Sequence, residues 1–292
     1  MPDINLISIS PSQLSGSGES GLYDVNKFSK KYLAQGDSWF SIGHVPFWST
    51  TNLLQQMVLS RSAVAVNCAR PGVWLSHMTD TSTAQVFLNL LNGNVAWKWD
   101  ALLISGGGND LIAAASSDVT AEASLRLFLR SDEWGTQSDE TRYLSDEGWN
   151  TFTAHMDEVL GNLLTQRDAN ININVPLLLH TYDYLTPRNA PAGPGLGPWL
   201  YKAMNDLYGI PSGDWNALTD RLIDRLADMW FALAAKYAGS NVNIVDSRQS
   251  LTRAVPGTTG VSNDWENEIH PTAHGYTLLA QKWRGPLDAL PP

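Results

Sequence analysis

The stretch LAQGDSWF (residues 33–40) ends an apolar run with a small residue, an acid and a hydroxyl, Gly36-Asp37-Ser38. Near the other end of the chain, NDWENEIHPTAHGY (residues 263–276) carries an imidazole, His270. A serine hydroxyl and an imidazole are two of the three parts that acyl transfer needs. The hydroxyl attacks a carbonyl carbon, the ring takes and returns the proton, and preset N–H donors hold the developing oxyanion. Two candidate donors exist. Gly72 closes CARPG, and without a Cβ its backbone N–H can approach a reacting oxygen. Asn109 lies in GGGNDL and offers a side-chain amide.

Each block also has an ordinary reading. Gly-Asp-Ser is turn chemistry, Asn109 can cap a helix starting near Asp110, and His270-Pro271 can open a helix. His270 and His274 have the i,i+4 spacing of a zinc pair, but no third ligand is evident and no metal is expected. No cofactor is expected either. The first strand candidate is followed by GDSWFSIG instead of G-x-G-x-x-G, and neither a Walker sequence nor a G-x-S-x-G elbow occurs.

The elements that must position these groups are short apolar runs separated by helical periodicity. Strands are expected at residues 32–35, 63–67, 101–105, 174–180 and 242–246, all buried on both faces. Amphipathic helices are expected where Trp149, Phe152, Met156, Val159, Leu160, Leu163 and Leu164 share a face, and from Leu222 to Tyr237 before a cap at Gly239. Such alternation predicts a parallel sheet with helices on both faces, a three-layer α/β/α domain of five strands. In such a sheet ligands bind at the carboxyl ends of the strands, and the blocks of Ser38, Gly72, Asn109, His180 and, further on, His270 all follow strand candidates. Residues 1–30, with SGSGES, read as a partly flexible lead-in, and residues 31–292 as a single domain. The Pro-, Gly- and aromatic-rich excursion at 181–216 is expected to wall the pocket, with Trp39, His180, Tyr182 and Tyr184 lining it. Asp246 and Arg248 read as loop anchors, Glu266 and Glu268 as solvated loop carboxylates, and His274 as a solvent-facing helix residue.

The chain has 292 residues, 43% of them hydrophobic, and a formal net charge of −10. An acidic chain without a basic stripe repels phosphate backbones, so no nucleic acid is expected as a partner. The single cysteine, Cys68, excludes an internal disulfide framework. No run is long enough to span a membrane and no leader pattern opens the chain, so the expected compartment is cytoplasmic, or secreted or periplasmic had a presequence been removed. Oligomeric state leaves no mark in the sequence.

Taken together, Gly36-Asp37-Ser38, a glycine after the second strand, Gly107-Gly108-Asn109-Asp110 after the third and His270-Pro271 near the C-terminus resemble the four ordered blocks of SGNH hydrolases, also called GDSL-type esterases. The resemblance runs over residues 32–285. It implies a flavodoxin-like sheet and a serine esterase acting on lipid, sugar or other small-molecule esters. It also implies an oxyanion hole made by the Ser38 N–H, the Gly72 N–H and the Asn109 amide. One position departs: the family usually has an aspartate three residues before the histidine, and here that residue is Asn267. Three readings stay open. Asp264 folds back as the acid, which is the reading taken first; Asn267 serves as a neutral orienter; or a Ser38–His270 dyad suffices. A binding module with weak chemistry on the same scaffold is the alternative function.

Overall fold

Runs of aliphatic side chains that are buried on every side form the centre of the molecule. In the computed structural model, which describes residues 3–14, 23–41 and 51–291, eight strands are present: β1 (Ile4–Asn5), β2 (Ile7–Ile9), β3 (Lys30–Gly36), β4 (Val58–Leu59), β5 (Ala63–Asn67), β6 (Ala101–Ser105), β7 (Leu177–His180) and β8 (Val242–Val245). Six of them make one sheet in the order β2-β5-β3-β6-β7-β8, every neighbouring pair parallel. Helices α1 (Ser38–Ser41), α2 (Gln85–Leu91), α3 (Gly108–Ala115), α4 (Asp146–Asp168), α5 (Trp215–Lys236) and α6 (Ala273–Asp288) flank it. The result is the expected α/β/α arrangement: parallel strands need crossovers, and the crossovers carry the helices. Among the described residues no helix is long and apolar enough to cross a membrane.

The five expected strands are joined by a sixth. Residues 4–9, read from the sequence as part of the lead-in, instead supply β1, which pairs with β4, and β2, which lines up beside β5 from Ile7↔Val64 to Ile9↔Val66. Leu6 and Ile9 are buried, and their two or three flanking polar positions gave too short an alternation to read as a strand. SGSGES lies outside the described residues. The fourth expected strand starts late, at Leu177, because Asn174 takes a left-handed φ of 54° and Pro176 has no N–H for a ladder. The fifth, β8, is not buried on both faces: it is the sheet edge and half exposed. Helix α5 stops at Lys236, short of Gly239, and the left-handed residue that follows is Asn241 (φ 53°).

Candidate functional site

Ser38 is placed by a close approach between β3 and β6. A Cβ on Gly36 would come within 2.8 Å of Ser105 Cβ and 2.9 Å of Ser105 O, so only glycine lets the two strands end side by side. Beyond that glycine, Asp37 N–H donates to Ser105 O (3.0 Å), and the Asp37 carboxylate turns back to accept from Trp39 N–H (3.0 Å). This starts α1, with Ser38 as its first residue. Asp37 is buried beneath the turn and holds two hydroxyls, Ser105 Oγ at 2.7 Å and Tyr182 OH at 2.5 Å. Burial pushes its carboxyl up to about 6, against the pull of those hydrogen bonds.

His270 arrives from the far end of the chain. Its Nε2 lies 2.9 Å from Ser38 Oγ and its Nδ1 lies 3.0 Å from Asn267 Oδ1. The same Asn267 oxygen accepts the backbone N–H groups of Ile269 (3.1 Å) and His270 (3.0 Å). Two amide donors fix that atom as the oxygen, so Nδ1 carries the ring proton and Nε2 faces the hydroxyl with its lone pair. Burial pushes the ring down to about 3, so at neutral pH it is uncharged and able to accept.

Asp264, taken first as the acid behind the ring, is elsewhere. Residues 262–272 form a small antiparallel turn in which Thr272 N–H donates to Asp264 O (2.8 Å) and Glu266 N–H donates to His270 O (2.8 Å). That register sets Asp264 opposite Thr272, past His270. Its carboxylate accepts from Thr252 N–H (2.6 Å) and meets His274 Nδ1 at 2.9 Å. His274 is largely exposed and paired to Asp264. Because α6 begins at Ala273, after His270, the two histidines share no helix face. Among the described residues no group of three or more His, Cys, Asp or Glu is placed to hold a metal ion.

Asn109 is the second residue of α3, whose first turn is capped by Gly107, so it is not itself the cap. Its Nδ2 donates to Val73 O at 3.1 Å, which joins it to the loop carrying Gly72. Gly72 is exposed with φ 73°, a backbone that favours glycine. Ser38 and Asn109 border one narrow cleft. Its walls are hydrocarbon: Leu111 and Ile112 of α3, Leu222 and Ile223 of α5, and Leu185 and Leu200 of the excursion.

Of the four expected pocket residues, Trp39 and Tyr182 line this cleft, and the other two require correction. His180 is wholly buried behind Trp39, stacked on it at 5.3 Å. Its Nδ1 accepts from Tyr182 N–H (3.2 Å), so Nε2–H donates to Ser105 Oγ (2.9 Å), extending the chain that ends on Asp37. Burial pushes His180 down to about 3. Tyr184 faces away because the chain turns at Tyr182 (φ 61°), and its hydroxyl donates to Asp224 on α5 (2.6 Å). Asp246 pairs with Arg248 at 2.8 Å, as a loop anchor. Glu268 is not solvated. It is fully buried, and burial pushes its carboxyl up to about 7. Together with the Asp37–Ser105–His180 chain it is what the sequence concealed, since neither leaves a spacing to recognise.

A sequence model of the GDSL-like Lipase/Acylhydrolase family matches residues 32–283. Comparison with curated proteins found none that matches. Among solved structures the chain is similar to an extracellular lipase from Streptomyces rimosus, at 14% identity and TM-score 0.45, covering 87% of this chain and 99% of that one. It is similar to phospholipase A1 from Streptomyces albidoflavus NA297, at 14% identity and TM-score 0.46 over 90% and 99%. It is also similar to Axe2, an acetylxylan esterase from Geobacillus stearothermophilus, at 13% identity and TM-score 0.43 over 87% and 92%.

Proposed function

The chain belongs to the GDSL-like Lipase/Acylhydrolase family, and from that premise we propose that it is a serine hydrolase that cleaves carboxylic esters through an acyl-Ser38 intermediate. The observation that carries this reading is the 2.9 Å approach of His270 Nε2 to Ser38 Oγ, with the other ring nitrogen fixed on Asn267. Ser38 Oγ attacks the ester carbonyl carbon while its proton passes to His270 Nε2. The oxyanion is held by the backbone N–H groups of Ser38 and Gly72 and by Asn109 Nδ2, which spends only one of its two hydrogens on Val73 O. His270 then gives its proton to the alcohol oxygen as the C–O bond breaks. Water repeats the attack on the acyl-serine and releases the acid. Asn267 orients the ring as a neutral acceptor, and the hydrocarbon walls of the cleft favour an aliphatic acyl group.

Labelling with a fluorophosphonate and turnover of a p-nitrophenyl ester test the reading. Wild type is expected to label and turn over, Ser38→Ala to do neither, and the Ser38→Ala/His270→Ala pair to be no worse than either single change. Turnover in Ser38→Ala equal to wild type would remove Ser38 from the chemistry, and absence of both labelling and turnover in wild type would leave a binding module.

A further inference from the structure

Glu268 lies between Asn267, which orients His270, and Ile269, which lines the cleft. Its carboxylate faces away from the ring, toward the excursion. One oxygen accepts from Tyr201 N–H (2.6 Å) and Arg188 N–H (3.4 Å), and the other accepts from Trp199 N–H. Glu268 N–H in turn donates to Ala190 O (3.0 Å). Two of these donors bracket Leu200, a wall residue of the cleft, and the Trp199 ring stands edge-on to His270 at 5.5 Å. The Arg188 guanidinium, itself buried, donates to Asn267 O at 2.6 Å and to Thr258 and Gly260 carbonyls. A carboxylate is an expensive group to bury, and hydrophobic packing alone would have closed this seam without it. What it supplies is acceptors aimed at one stretch of wall backbone.

We infer that Glu268 is a positioning residue for acyl-chain preference: by accepting from the amides on either side of Leu200 it holds the wall of the cleft in register with the His270 loop. The inference rests on the ester-hydrolase reading for its substrates. An ionised Glu268 accepts at every lone pair, whereas the protonated acid turns one oxygen into a donor facing amide donors. Among the described residues Arg188 is the charged group that acts on it. Raised to about 7, its titration gives a readout that a purely structural role would not move.

The test compares wild type, Glu268→Gln and Glu268→Ala on p-nitrophenyl esters from acetate to octanoate at pH 8. Glutamine keeps the shape while turning one acceptor into a donor, as the protonated acid does, and the wild-type pH series tests the inference even where a variant fails to fold. The loss in kcat/KM is expected to grow with chain length, at least ten-fold greater for octanoate than for acetate, to lie mainly in KM, and to be larger for alanine. In the wild type alone, the octanoate-to-acetate ratio of kcat/KM should fall between pH 8 and pH 6, with the glutamine variant flat. Equal losses at every chain length, or a wild-type ratio that does not move with pH, would overturn the inference. Absence of wild-type turnover together with absence of fluorophosphonate labelling would instead overturn the hydrolase reading on which it rests.

Discussion

At the scale of single residues, Asn267 shows how tautomer and charge can be separated. In the serine-protease template, replacing the aspartate behind the histidine by asparagine costs about 10⁴ in turnover, chiefly because the ring takes the wrong tautomer. Here two backbone N–H groups pin the oxygen of Asn267 toward Nδ1, so on the proposed assignment the tautomer is kept and only the charge is missing. Asn267→Asp is therefore expected to raise the His270 pKa from about 3 and to increase kcat at pH 7 by about ten-fold. Asp264→Asn, which alters a bond to His274, should change kcat less than about three-fold. A pH–rate profile of both variants decides it; a fall in Asn267→Asp, or a large loss in Asp264→Asn, contradicts this assignment. As candidates, Ser38, Asn109 and His270 were legible in the sequence because a hydroxyl, an amide and an imidazole are written there as letters. The choice between Asp264 and Asn267 was not, because it depends on Asp264 pairing with Thr272, a backbone register that leaves no trace in composition.

At the scale of elements, β5 and β6 have the bounds their apolar runs indicate, and β3 extends two residues before its run and one beyond it. The N-terminal strands escaped notice because only Leu6 and Ile9 of that segment are driven into the core. The excursion is expected to wall the pocket, and some of its aromatic rings pack away from the cleft: Tyr201 on Trp215 at 5.4 Å, Tyr208 on Phe128 at 5.4 Å. Leu185, Leu200 and Tyr182 are among its members that line the cleft. The contact between β3 and β6 carries a separate expectation. Gly36→Ala drives a methyl group into Ser105, at 2.8 Å from its Cβ, and an overpacked core position costs about 1–3 kcal/mol. Thermal unfolding should fall by roughly 3–10 °C. Because Ser105 also holds Asp37 beneath Ser38, labelling by fluorophosphonate should slow even well below the melting point. An unchanged melting temperature would show that the strands can part without cost.

At the scale of the whole molecule, four buried titratable groups pull stability in opposite directions. His180 and His270, held near 3, bind fewer protons folded than unfolded between about pH 3 and their ordinary value, so they add stability as pH rises through that window. Asp37, raised to about 6, and Glu268, raised to about 7, bind more protons folded, so the stability they contribute is complete below their ordinary values and is lost as pH rises to 6 and 7. Between about pH 4.5 and 6 these two pairs offset each other, and below pH 4 the two histidines pull toward unfolding. Glu268→Gln removes one of the opposing slopes. Its stability relative to wild type should rise by about 1–3 kcal/mol from pH 4.5 to pH 7, measured by urea unfolding, and parallel curves would show that Glu268 does not titrate in that window. The reach from Ser38 to His270 across 232 positions has a consequence in time as well as in space. At a synthesis rate of about 5–20 residues per second, the serine leaves the ribosome roughly 10–50 seconds before its histidine exists. On the proposed assignment a nascent chain therefore carries an unactivated hydroxyl until the loop before α6 has emerged, and only then can the two groups act as a pair.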